Sequence, residues 1–291
     1  MMTLKTLLLL VIIVSFINRS FQICATTTAI TTCRQIHLYK TNPLTINKYK
    51  DILEISLDDQ SDTIYSNAFN SLAELKRLFL SNNKIKNLES GSFDRLSKLE
   101  ELSLYNNLLT TIVSGAFRDL HNLKILNLGA NKITSIPNKA FVGLDNLEVI
   151  NLSFNQLAEV PVHINTIKTL RVLHLNDNKL RNLKASSFNN LNKLEKLHLY
   201  DNSIDSLEAK SFAGLRNLKE LNLKANYLKQ FNTQDALADL GSLQILNLAI
   251  NNFRCPDLKN IDKELQRKRI AFVEGTNKQN TNNYKGIKCN A

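Results

Sequence analysis

Apolar residues recur along this chain at two nested periods. In residues 75–98, LKRLFLSNNKIKNLESGSFDRLSK, the triplet Leu78–Phe79–Leu80 alternates sides, the period of a short β-strand with Leu78 and Leu80 inward and Phe79 outward. The same pattern returns every 24 residues: LEELSLYNN from 99, LKILNLGAN from 123, LRVLHLNDN from 170, LEKLHLYDN from 194. The row from 147 is one residue shorter, and the row from 218 one residue longer. Seven full rows span 75–242, preceded by a degenerate row at 52–74 and followed by a truncated one at 243–253. Stacked copies predict a parallel sheet with strands about 4.8 Å apart, so nine strands give an inner arc of about 40 Å.

Two polar and aromatic columns complete the pattern. Asn83, Asn107, Asn131, Asn155, Asn178, Asn202, Asn226 and Asn251 fall at one register, just after each strand. A buried turn there leaves backbone donors and acceptors that need partners, and an asparagine amide supplies both kinds. Phe69, Phe93, Phe117, Phe141, Phe188 and Phe212, with Ile164 in the short row, form a second column that predicts a packed spine on the opposite wall. One row cannot bury these faces alone; stacking buries them, and the ends need caps.

Each row reads L-x-x-L-x-L-x-x-N-x-L, and over residues 52–253 the chain resembles the typical 24-residue class of extracellular leucine-rich-repeat proteins. The resemblance implies an α/β repeat solenoid: a horseshoe with a parallel concave β-sheet, an irregular or short-helical convex side, and disulfide-containing caps. Residues 21–51 are the expected N-terminal cap and 254–291 the C-terminal one. The latter begins at Cys255, with Pro256 in the first turn of an amphipathic helix through Leu258, Ile261 and Leu265, followed by a short strand at 270–273. It resembles the C-terminal caps of secreted leucine-rich-repeat proteins, particularly short insect ones ending in GIKC; against the common four-cysteine caps it retains only two, so the resemblance implies one bridge, Cys255–Cys289. The layout also resembles Toll and Slit-type ectodomains and mosquito complement-like immune factors. It departs from these in having neither a following membrane helix nor coiled-coil heptads.

The N-terminus reads as a secretory signal over residues 1–20, with Lys5 ahead of the apolar run 7–17, which is too short to span a bilayer. A secreted, extracellular protein is expected. Cutting after Ser20 leaves Cys24, Cys33, Cys255 and Cys289, with natural pairs Cys24–Cys33 and Cys255–Cys289. Cutting after Ala25 instead leaves Cys33 for a bridge to another chain. The formal charge of +11 includes Lys5 and Arg19 in the leader. It admits an anionic glycan as partner, while nucleic acid is not expected without a recognisable module. Asn151, in Asn-Leu-Ser, is the glycosylation candidate.

Outward strand positions define the expected partner surface. One patch gathers His174, Asn176, Lys196, His198, Tyr200, Glu220 and Lys224; a second gathers Arg77, Phe79, Glu101 and Tyr105. Tyrosine among charged neighbours suits an interface centre, so an extracellular protein ligand is the expected partner. His174 and His198, with Asp177 and Asp201 nearby, raise the thought of a metal or acid–base pair. No third ligand, nucleophile motif or cysteine cluster accompanies them, and an open strand array excludes no water. Neither catalysis nor a cofactor is expected.

Overall fold

The computed structural model describes residues 23–26, 31–36, 52–57, 61–185, 187–275 and 282–290. The apolar leader, the Ser20 cut and most of the 21–51 lead-in lie outside them. Twelve strands form one sheet. A hairpin of β1 (Ile23–Thr26) and β2 (Thr31–Ile36) opens it, and β2 runs parallel to β3 (Ile52–Leu57). The repeat strands follow as β4 (Arg77–Phe79), β5 (Glu101–Ser103), β6 (Ile125–Asn127), β7 (Val149–Asn151) and β8 (Val172–His174). Then come β9 (Lys196–His198), β10 (Glu220–Asn222), β11 (Ile245–Asn247) and the capping β12 (Ala271–Phe272). From β2 onward every neighbour pair is parallel.

Most all-parallel sheets are covered on both faces. Here only the inward leucines are buried: Leu78, Leu102, Leu126, Ile150, Leu173, Leu197, Leu221 and Leu246 are all fully excluded from solvent. Their outward neighbours are half-exposed or exposed, except for Ser103, so the concave face stays open. The opposite wall is the aromatic spine. Phe69, Phe93 and Phe117 stack at 5.8 and 5.9 Å between ring centroids, and Phe188 and Phe212 stack at 6.2 Å. Phe141 and Ile164 are buried between the two stacks. In the short row a 3-10 turn, Val162–Thr166, carries Ile164 in place of phenylalanine.

The asparagine column is a ladder of backbone mimics. Asn131 Oδ1 accepts from Leu109 N–H of the preceding repeat at 3.1 Å, while its Nδ2 donates to Leu104 and Leu128 carbonyls at 3.0 Å. The same pattern runs from Asn83, which serves Leu57 and Ile55, to Asn251, which serves Leu228 and Leu223. Each amide therefore closes two consecutive turns. The residue before each ladder asparagine sits in the left-handed region, as with Asn82 (φ 59°) and Asp201 (φ 52°). Asparagine and aspartate tolerate that conformation through local hydrogen bonding.

The degenerate first row departs from the expected register. Row alignment sets Ile55 opposite Leu78, but the structure pairs Leu53 with Leu78 and Glu54 with Phe79. Because side chains alternate with period two, a slip of two residues preserves the inward face, so the row pattern alone does not resist it.

Helix α1 (Thr233–Ala236) sits in the long row, capped by Asn232. Helix α2 (Cys255–Arg267) opens the C-terminal cap, with Pro256 in its first turn and Leu258, Ile261 and Leu265 buried. Cys255 and Cys289 are disulfide-bonded, Cα atoms 5.1 Å apart. Inside the cap, buried Asp262 accepts from Tyr284 at 2.7 Å and pairs with Lys285 at 2.8 Å, pinning α2 to the hairpin of Asn283–Tyr284 and Ile287–Lys288. At the other end, Cys33 is buried and disulfide-bonded, and the strand register sets Cys24 directly opposite it. A bridge from Cys33 to another chain therefore requires the cut after Ala25.

Replacing Asn131 by alanine strands the Leu109 N–H and removes a donor from two carbonyls. Urea unfolding should show a loss of about 1–3 kcal/mol. Lys98→Ala, which removes an exposed pair with Glu74, should cost less than about 1 kcal/mol.

Candidate functional site

Strands β8, β9 and β10 place the first expected patch on three adjacent rungs. Parallel register stacks Val172, Lys196 and Glu220 in one column and His174, His198 and Asn222 in the next. The two imidazoles meet edge to face with centroids 4.8 Å apart, and their Nδ1 atoms are 3.0 Å from each other. His198 Nε2 lies 3.0 Å from Glu220 Oε1, and Lys196 Nζ lies 3.7 Å from the other carboxylate oxygen. The Tyr200 ring tilts against His198 at 6.1 Å.

These distances constrain the protons. With both rings neutral, His198 Nε2–H donates to Glu220 and His198 Nδ1 accepts from His174 Nδ1–H. A proton added to His198 reverses the inter-ring bond, His174 then accepting. A second proton would set two N–H groups against each other. Burial pushes the His174 pKa down to about 4, assisted by the positive charge His198 can carry and by Lys196, against the opposing pull of Glu220. Burial also raises the Tyr200 hydroxyl, and Asp177 and Asp201 reinforce the shift. Tyr200 therefore presents a neutral donor.

Two members of the patch stand apart from this network. Asn176 is 2% exposed, and its amide turns onto the carboxylate of Asp177 at 2.9 Å. It offers no surface to a partner, contrary to expectation. Its column is where each strand begins to turn, and the rungs differ there, with Tyr105 exposed and Asn176 buried. A Cβ on Gly129 would lie 2.9 Å from Asn151 Nδ2, and Ser153 is likewise buried. Lys224 is half-exposed in the same column and belongs instead to the C-terminal end of the arc.

The second patch is also assembled. Arg77 Nε lies 3.6 Å from Glu101 Oε2 across β4 and β5, Phe79 is half-buried beside them, and Tyr105 is exposed.

A feature absent from the sequence reading is a second asparagine row along the concave face. Asn127, Asn151, Asn222 and Asn247 each accept, through Oδ1, the N–H two residues onward at 2.9–3.1 Å. Their side chains fasten the ends of the strands as well as facing outward. The signal was present as an N-L-x register, but alternation assigned those positions to solvent alone. At the Asn151 sequon, Ser153 Oγ donates to the same Oδ1 at 2.6 Å.

Among the described residues no group of three His, Cys, Asp or Glu side chains can hold a metal ion, and no helix is long and apolar enough to cross a membrane.

Residues 60–109, 97–157, 168–228 and 202–253 match the family described as leucine rich repeat. No curated protein sequence matches. Among solved structures, the chain is similar to one titled as the crystal structure of a TLR13–ssRNA13 complex, with 31% identity and a TM-score of 0.67. That similarity covers 69% of this chain and 28% of the other. It also shares its fold with an internalin from Listeria monocytogenes, at 20% identity and a TM-score of 0.58, over 76% of this chain and 59% of that one. The chain thus spans about a quarter of the first neighbour's length and less than two thirds of the second's.

His174 should titrate near pH 4 when followed by NMR of its ring protons. In the unfolded chain it takes its proton near 6.5, so between these values the unfolded state binds more protons. Its contribution to stability is complete above about pH 6.5 and falls as the pH drops towards 4. His174→Gln should flatten that window.

Proposed function

Because this chain belongs to the leucine-rich-repeat family, a family of ligand-binding scaffolds, we propose that it is a secreted recognition protein whose concave face binds another extracellular protein. The observation that carries this reading is the cluster of His174, His198, Tyr200, Lys196 and Glu220. It is a preorganised patch of aromatic and charged side chains on an open sheet, and the inward leucines, the aromatic spine and the asparagine ladder hold the fold beneath it. The fold and the likeness to a Toll-like receptor structure support a role in innate immunity or extracellular signalling.

That neighbour was solved with a single-stranded RNA, but the concave columns here favour a protein. Arg77 and Lys196 are engaged by Glu101 and Glu220, which leaves little unpaired positive charge for a polyanion. A glycan on Asn151 would stand near the middle of the arc and confine a wide partner to one end.

A second reading places an anionic glycan on the C-terminal cap. Lys259, Lys263, Lys268 and Arg269 are exposed on or just after α2, with no ion-pair partner among the described residues. Glycan capture there would collapse with modest salt.

Capture of a partner from the source tissue fluid tests the first reading. His198→Ala and Tyr200→Ala should each weaken it by about tenfold or more, a loss of at least about 1.4 kcal/mol, with unfolding midpoints little changed. Capture that survives both substitutions but vanishes at moderate salt would favour the glycan reading instead.

A further inference from the structure

The repeats supply an internal control for what each turn position needs. Asn82, Asn106, Ala130, Phe154, Asp177, Asp201, Ala225 and Ile250 precede the ladder asparagines and share φ values of 52–59°. Left-handed backbone is costliest for a β-branched residue, so Ile250 is the most strained choice in its column. It is also 60% exposed. The column just after the ladder is Lys84, Leu108, Lys132, Gln156, Lys179, Ser203, Tyr227 and Asn252. Tyr227 is 54% exposed. At the C-terminal end, then, two columns place large apolar side chains in solvent, and neither is required by the turn. Phe154 is also exposed in the first of these columns, at 52%, but only Ile250 is β-branched and stands beside a second exposed apolar side chain, a combination of strain and exposure found at sites of function.

Both residues line one cavity of about 660 Å³, between the last repeat and the hairpin of the C-terminal cap. Val273 and Ala249 extend its apolar wall, and Lys224 and Lys288 stand on it. Glu274 also borders it, and Lys285 nearby is held mainly by Asp262, so the two groove lysines share the groove with one carboxylate.

We propose that this groove anchors an extended segment of a partner protein, taking a large apolar side chain between Tyr227 and Ile250 and an adjacent carboxylate on Lys224 and Lys288. The proposal deepens the concave-face reading and rests on it for the identity of the partner as a protein. Ile250 supplies contact area at the cost of backbone strain, which binding offsets by burying it. The lysines select an acidic neighbour over a neutral one.

The test is an NMR titration of the intact protein with the capped dipeptide acetyl-Phe-Asp-amide, using acetyl-Ala-Asp-amide and acetyl-Phe-Asn-amide as comparators. Saturable shifts are expected at the amides of Tyr227, Ile250, Val273 and Lys288, with each comparator weaker by roughly fivefold or more. Ile250→Asn should raise the thermal midpoint, because asparagine accepts the left-handed turn, while weakening the dipeptide to a similar extent. Lys224→Gln should reduce acetyl-Phe-Asp-amide to the level of acetyl-Phe-Asn-amide. Absence of saturable shifts at those amides, or unaltered binding by Ile250→Asn, overturns the proposal. His198→Ala should leave the dipeptide titration unchanged, so failure of the groove and failure of the wider concave-face reading are separately visible.

Discussion

A single side-chain amide per repeat completes the backbone hydrogen bonding of the repeat before it, and the architecture depends on that contact. After each three-residue strand the chain must turn inside a packed core, where an unpaired N–H or C=O costs about 1–3 kcal/mol. The ladder from Asn83 to Asn251 meets this demand with one acceptor and two strong donors per turn. Because every asparagine bonds to the preceding turn as well as its own, each repeat is complete only when the next is stacked upon it. The left-handed residue before each asparagine belongs to the same turn, and the ladder holds even across the rows one residue shorter and one longer.

This division of labour releases the concave face. Inward leucines, the aromatic spine and the ladder hold the fold, so residues such as Lys196, His198 and Glu220 are free to vary with the ligand. The release has limits. Asn127, Asn151, Asn222 and Asn247 spend their oxygens on the strand ends, and Asn176 is drawn beneath the surface by its bond to Asp177. What remains available is the N-terminal patch of Arg77, Phe79, Glu101 and Tyr105, a half-buried histidine pair flanked by Tyr200, and, one and two rungs beyond it, the exposed Tyr227 and Ile250.

Most of the fold was legible in the sequence because a repeat turns local pattern into long-range contact: Leu197 must lie beside Leu173 if both occupy the same row position. Legibility failed where the repetition weakened. In the first row, Leu53 and Ile55 are equally acceptable inward residues two positions apart, and the observed register goes with the contacts of Asn83 to Ile55 and Leu57. The site was legible as columns but not as contacts. Strand alternation places His174 and His198 on one face, yet it does not show their rings meeting at 3.0 Å or one being held neutral by burial. It also could not show Asn176 buried, because that goes with its bond to the Asp177 carboxylate and not with the strand period.

Hydrogen–deuterium exchange of the free protein tests the central claim most directly. The amides of Leu57, Ile85, Leu109, Ile133, Leu157, Leu180, Ile204 and Leu228 have asparagine side chains as acceptors. If the ladder is the constraint on which the scaffold depends, those amides of the central repeats exchange in the same slow, cooperative class as the amides of Leu126, Leu173 and Leu221 in the strands. Rapid exchange at the ladder amides, with slow exchange retained in the strands, would contradict the account.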